Sequence, residues 1–133
     1  LGEALLTPTR LYVKSALAAI HTGGVKGLAH ITGGGITENL PRCLPDGLDA
    51  EVELSAWAVP KVFGWLARSA GIEDAEMLRT FNCGIGLVAV TDVKTSGHVI
   101  DAFQESGEKA QRIGRLVRGD GEAKVVYRGQ IKW

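Results

Sequence analysis

Hydrophobic positions along this chain switch repeatedly between a helical and a strand period. Val13, Ala16, Leu17 and Ile20 recur at i, i+3, i+4 and i+7, a spacing that lines one side of a helix. The pattern predicts that this stripe is buried and that Lys14, Ser15 and Ala18 face away. Thr7 followed by Pro8 supplies a cap and a first-turn residue whose missing N–H costs nothing there, so the helix is predicted to start at Pro8. Gly23-Gly24 predicts its end.

"GLAHIT", residues 27–32, reads as a short buried strand leading into three glycines. Asn39 can cap a single turn that tolerates Pro41 near its start, and Pro45 stops it. "AEVEL", 50–54, alternates like a half-exposed strand. "VPKVFGWLARSAG", 59–71, predicts a helix with Val59, Val62, Phe63 and Leu66 inward and Gly71 beyond its end. Asp74 caps a short helix through Met77 and Leu78. "CGIGLVAVT", 83–91, is apolar on both faces and reads as a central strand covered on both sides. A helix over Ser96–Ser106 follows, buried through Val99, Ile100 and Phe103. "QRIGRLV" and "AKVVYRG" read as a hairpin joined through "RGDGE". The fold class is therefore α/β of the α+β type, a mixed β-sheet with helices packed on it. A purely parallel, doubly wound sheet would leave the terminal hairpin unexplained.

The chain's 133 residues suit a single domain with one sizeable core. Its 15 basic and 15 acidic side chains cancel, and no block of one sign gives an electrostatic case for nucleic acid or a membrane surface. No apolar run approaches the roughly 18 residues of a membrane span, and "LGEALLTPTR" lacks the build of a secretory signal. Cys43 and Cys83 form no CxxC and have no histidine at metal-ligand spacing, which argues against disulfide and zinc frameworks and fits a reducing cytoplasm.

Candidate chemistry gathers around "AHITGGGITENLPR", 29–42. Glycine takes positive φ without steric cost and leaves no Cβ. Gly33, Gly34 and Gly35 thus suit either a sharp turn or the close approach of an anion. "TGGG" is neither GxxxxGK[ST] nor GxGxxG. His30, just before the glycines, reads as a core imidazole or as a side chain reaching the pocket that the glycines open. Arg10 and Lys14, placed on one helix face at i, i+4, repel mildly and would welcome an anion; an ordinary solvated face explains them as well. Arg42 could close the same site. Thr32 and Asn39 offer neutral hydrogen bonds, although capping explains Asn39 equally. Gly84 and Gly86 permit close approach of a helix, the favoured reading, or of a ligand. Cys83 and Cys43 read as small buried hydrophobes. From the residues alone, the chain is an α/β domain with a small anionic-ligand pocket.

Three long blocks in order, "LLTPTRLYVKS" (5–15), "AHITGGGITENLPR" (29–42) and "EMLRTFNCGIGLV" (76–88), strongly resemble those of phosphoribosylformylglycinamidine cyclo-ligase, or aminoimidazole ribonucleotide synthetase. "SAWAVPKVFGWLARSAGI" and "GEKAQRIGRLV" are also similar to their counterparts, so the resemblance covers essentially the whole chain. It implies ATP-dependent ring closure of formylglycinamidine ribonucleotide to aminoimidazole ribonucleotide in purine biosynthesis. It further implies two α/β domains with the reaction cleft between them, a homodimer, and an N-terminal domain that holds most of the ATP and Mg²⁺ site.

The chain matches only the C-terminal domain of that family. It lacks the acidic metal-binding motifs of the N-terminal half and the His-Ser-Asn-Gly segment and helix that open the C-terminal domain. It is therefore expected to be a cytoplasmic fragment, inactive alone. Its partner would be the N-terminal ATP-binding domain, and its substrate cleft would use Arg10, Lys14, His30, Thr32, Gly33, Gly34, Gly35, Asn39 and Arg42. Catalytic residues are not assigned. Two other readings stand beside this one. The first is a domain of another ATP-dependent relative, of the formylglycinamidine ribonucleotide synthase or selenophosphate synthetase type. The second is a free-standing module that binds a ribonucleotide or a protein.

Overall fold

A computed structural model describes residues 2–133 of the chain. Among the described residues five strands form two sheets. In the first, β1 (Val25–His30) pairs antiparallel with β3 (Leu87–Thr91), Leu28 opposite Ala89 and His30 opposite Leu87. In the second, β2 (Leu48–Glu53) lies between β4 (Gly114–Arg118), antiparallel to it, and β5 (Val125–Arg128), parallel to it. The helices are α1 (Gly2–Leu5), α2 (Val13–His21), α3 (Gly35–Asn39), α4 (Lys61–Ala70), α5 (Asp74–Thr80) and α6 (Ser96–Glu105). A 3₁₀ turn over Leu40–Cys43 continues α3. The α+β class with a mixed sheet read from the sequence is the one observed.

Three clusters hold these elements together. Ile31, Ile36, Leu40, Ala50, Val52 and Val88 join the two sheets to α3. Leu54, Ala67, Met77, Leu78, Cys83 and Ile131 form the core under α4 and α5. Ala19, Val99 and Phe103 fasten α2 to α6. Alternation along β2 works as its sequence indicates: Ala50, Val52 and Leu54 are buried while Glu51 and Glu53 face outward, because successive side chains leave a strand on opposite faces. The inward sets of α5 and α6 hold at Met77, Leu78, Val99 and Phe103, and Gly71 ends α4 in the left-handed conformation.

Four expectations are corrected. The helix expected at Pro8 starts at Val13. The Thr7 hydroxyl instead donates to the Glu3 carbonyl at the end of α1, leaving residues 7–12 outside any helix. The faces of α2 are also reversed. Val13, Leu17 and Ile20 are 69%, 50% and 44% exposed, whereas Ser15 and Ala19 are 3% and 0% exposed. Small side chains let α2 approach α6 closely, and Gly24 beyond its end leaves no room for a Cβ against Val99 and Thr95. "CGIGLVAVT" forms strand only from Leu87 and, among the described residues, has one neighbour, β1, rather than two. The terminal hairpin is absent: β2 lies between β4 and β5 and takes the hydrogen bonds each would have given the other. The turn between them is tied to the start of β2 through Gly47 N–H to Gly121 C=O and Gly119 N–H to Gly47 C=O.

Candidate functional site

The three glycines divide by role. Gly34 has φ +101° and Gly35 φ +58°, values that only glycine adopts freely. A Cβ on Gly35 would run into the Leu78 and Phe81 carbonyls, so this residue lets α3 seat on the end of α5. Gly33 is different. Its φ is not positive, and a Cβ there would meet nothing within 4 Å. Folding therefore requires glycine at 34 and 35 but not at 33, which lies exposed.

Asn39 is buried, and its amide NH₂ donates to the Gly35 carbonyl at 2.9 Å, the Gly33 carbonyl at 3.1 Å and the Thr32 carbonyl at 3.5 Å. The side chain thus fastens the glycine turn from beneath. It makes no side-chain cap for the turn that follows it, and both donor hydrogens are occupied within the fold.

A second glycine segment runs beside the first. The Ile31 N–H donates to the Gly86 carbonyl at 2.9 Å, extending the β1–β3 pairing past His30. The approach expected at Gly84 and Gly86 comes from loop side chains rather than a helix. The Tyr12 hydroxyl occupies the space a Cβ on Gly86 would need, and the Pro60 ring does the same at Gly84. Tyr12 also meets His30 edge to face, the ring centres 5.9 Å apart. His30 itself is exposed. The core-imidazole reading is therefore wrong, because the strand's alternation buries Ala29 and Ile31 and turns His30 to the other side.

Behind Tyr12 sits a compact polar group. Arg10 donates to Glu108 at 2.9 Å, and the Ser15 hydroxyl reaches both the Tyr12 carbonyl and the other Glu108 oxygen. Arg10 lies in the segment before α2, so it does not share a helix face with Lys14. Lys14 is exposed on the first turn of α2, and Thr32 and Arg42 are exposed on the glycine turn and the 3₁₀ turn. Burial pushes the Tyr12 phenol above its ordinary range; Glu108 adds to the shift and Arg10 opposes it. Tyr12, Ser15 and Glu108 were missed by sequence reasoning. Tyr12 stands between the two candidate cations, which was a usable signal, but Glu108 is 98 positions from Arg10 and nothing local marks it.

Cys83 is buried and its thiol is pushed up to about 11, chiefly by desolvation, with Asp74 adding to the shift. Cys43 is half-buried and raised for the same first reason. Neither is a nucleophile in this setting, since the thiolate is the reactive form. Among the described residues no three His, Cys, Asp or Glu side chains are placed to hold a metal ion, and no helix is long and apolar enough to cross a membrane.

Arg10, Tyr12, Gly84, Gly86 and Glu108 stand at one end of a cavity of about 620 Å³ that runs between the two sheets. Around that end the three longest blocks of distinctive sequence converge. Tyr12 from the first touches His30 from the second and Gly86 from the third, while Gly35 packs on Leu78. Residues 1–126 match the family described as AIR synthase related protein, C-terminal domain. The chain belongs to that family, whose members are domains of ATP-dependent enzymes.

Proposed function

We propose that this AIR synthase related domain is the substrate-cleft half of a phosphoribosylformylglycinamidine cyclo-ligase, closing formylglycinamidine ribonucleotide to aminoimidazole ribonucleotide. One observation carries the reading. The blocks 5–15, 29–42 and 76–88, which resemble the cyclo-ligase most, are remote in sequence yet meet at the Tyr12–His30–Gly86 contact.

The arrangement suits a phosphorylated, planar substrate. Arg10 is 60% exposed although paired, so its remaining guanidinium donors can take a phosphate in the forked geometry that favours arginine. Gly33 lets a ligand reach the backbone without displacing a side chain. Tyr12, locked over Gly86, forms a wall beside the exposed edge of His30. Asn39 keeps the turn rigid, which lowers the ordering cost of binding.

The side chains do not fit the metal that ATP chemistry requires, because no acidic cluster is present among the described residues. Activation of the formyl oxygen is accordingly assigned to a companion ATP-binding domain, with which this chain would share the cleft. That assignment agrees with the apolar stripe Leu11, Val13, Leu17 and Ile20, all exposed. Exposed apolar residues gathered along one segment suit contact with another protein surface.

The test uses the complete enzyme. Arg10→Ala and Gly33→Val are expected to raise the KM for formylglycinamidine ribonucleotide about tenfold, equivalent to ~1.4 kcal/mol, and to leave the KM for ATP unchanged. Unchanged constants for the ribonucleotide would remove the cleft from this place. Turnover of a different substrate by the complete enzyme, such as selenide, would move the chain to another branch of the same family.

A further inference from the structure

The cavity between the sheets has the form of a missing strand. Both residue faces of β3 line it, Leu87 and Ala89 as well as Val88 and Val90, and the same holds for Gly114 and Arg115 of β4. Side chains alternate across a strand, so a cavity bordered by consecutive residues runs along the strand's edge and not over one face.

Hydrogen-bond phase identifies which backbone groups look into it. The Ile31 N–H bonds the Gly86 carbonyl, and Ala29 lies opposite Val88. By the alternation of antiparallel ladders, Gly86 and Val88 turn their backbone groups to β1, and Leu87 and Ala89 turn theirs away. Likewise the Glu53 N–H bonds the Ile113 carbonyl and Glu51 lies opposite Arg115. Gly114 and Leu116 therefore point their N–H and C=O groups away from β2. Among the described residues, these two strand edges are unpaired and face one space. Neither carries a proline, and β3 carries no charged residue, so on β3 the usual protections of an edge strand are missing.

Above and below that plane the lining is largely apolar, with the charged Arg10, Asp92, Glu108, Lys109 and Arg112 bordering the same space. Leu40, Ala50 and Val52 line it from the β2 layer, Val99, Ile100 and Phe103 from α6. We infer that the cavity is a socket for one extended polypeptide segment lying outside residues 1–133, uncharged and apolar on both faces. It would pair with β3 on one side and β4 on the other and join the two sheets into one of six strands. Five residues, the length of β3 and of β4, extend about 17 Å. A small apolar molecule would fill part of the volume and leave both rows of backbone groups unpaired, at a cost comparable to lost hydrogen bonds. A strand satisfies both rows.

Amide hydrogen exchange on the intact 133-residue chain tests this. Without a partner, Leu87, Ala89 and Leu116 are expected to exchange faster than Val88 and Val90, whose amides lie on the paired side. A capped heptapeptide of alternating Val, Ile and Ala between terminal lysines is then added, beside the same peptide with a central proline. The expected result is about tenfold slower exchange at Leu87, Ala89 and Leu116 with the first peptide and no change with the second. Fast exchange at Val88 and Val90 would mean that the sheet edge is not built as described and overturns the inference. So would slow exchange at Leu87 and Ala89 in the dilute chain alone. Equal slowing by both peptides would show apolar filling without strand pairing. Protection that grows with chain concentration alone would make the occupant a second copy.

Discussion

The glycine run shows how much one residue's surroundings decide. Gly35 has a positive φ and abuts the Leu78 carbonyl, so Gly35→Ala is expected to cost more than about 2 kcal/mol in urea unfolding. Gly33→Val meets open space and is expected to change stability by less than about 0.5 kcal/mol. The two substitutions thus separate folding from function within one tripeptide. Asn39→Ala removes the amide that ties three carbonyls and is expected to cost about 1–3 kcal/mol by the same measurement. Cys83 gives a pH dependence. Its thiol is raised from 9.0 to about 11 in the folded chain, so between those values the folded state holds a proton that the unfolded state has lost. Stability is therefore full below pH 9 and declines as pH rises towards 11. A Cys83→Ser chain, compared across the same series, is expected to decline less steeply, the remainder coming from other raised groups such as Cys43 and Tyr12.

At the scale of elements, α2 carries the main lesson. Its periodicity correctly marks a helix, but the apolar stripe faces out and Ser15 with Ala19 faces in. A hydrophobic stripe reports that something is to be covered, and the reader of one chain assumes that the cover is the chain's own core. Here α6 takes the small-residue side, where close approach is possible. Leu17→Lys is thus expected to leave the unfolding midpoint of the chain unchanged. Ala19→Leu is expected to destabilise it by about 1–3 kcal/mol through overpacking. A large loss from Leu17→Lys with none from Ala19→Leu would mean that α2 is seated the other way round. Strand partners were less legible than strands. β4 and β5 were recognised as the two arms of a hairpin joined through "RGDGE", yet their pairing with β2 depends on contacts remote in sequence. Glu51 reinforces that order, bonding Arg115 of β4 at 2.9 Å and Arg128 of β5 at 3.0 Å. Those two hydrogen bonds, Arg128 first, hold its carboxyl below the usual range.

In the molecule as a whole, the family and the position of the glycine segments were legible, because long words of sequence carry both. The polar unit of Arg10, Ser15 and Glu108 was not, since its members come from separate elements. What the whole fold adds is convergence: three remote blocks meet at the Tyr12–His30–Gly86 contact, beside an exposed apolar helix face. Both features support the proposal that this domain works against another. The central claim is that this chain supplies half of a cyclo-ligase cleft. The most direct measurement is aminoimidazole ribonucleotide formation from formylglycinamidine ribonucleotide, ATP and Mg²⁺, by this chain alone and after mixing with a separately made ATP-binding domain. The account requires no product from the chain alone and product on mixing. Product from the chain alone, or none from two folded and associated pieces, would contradict it.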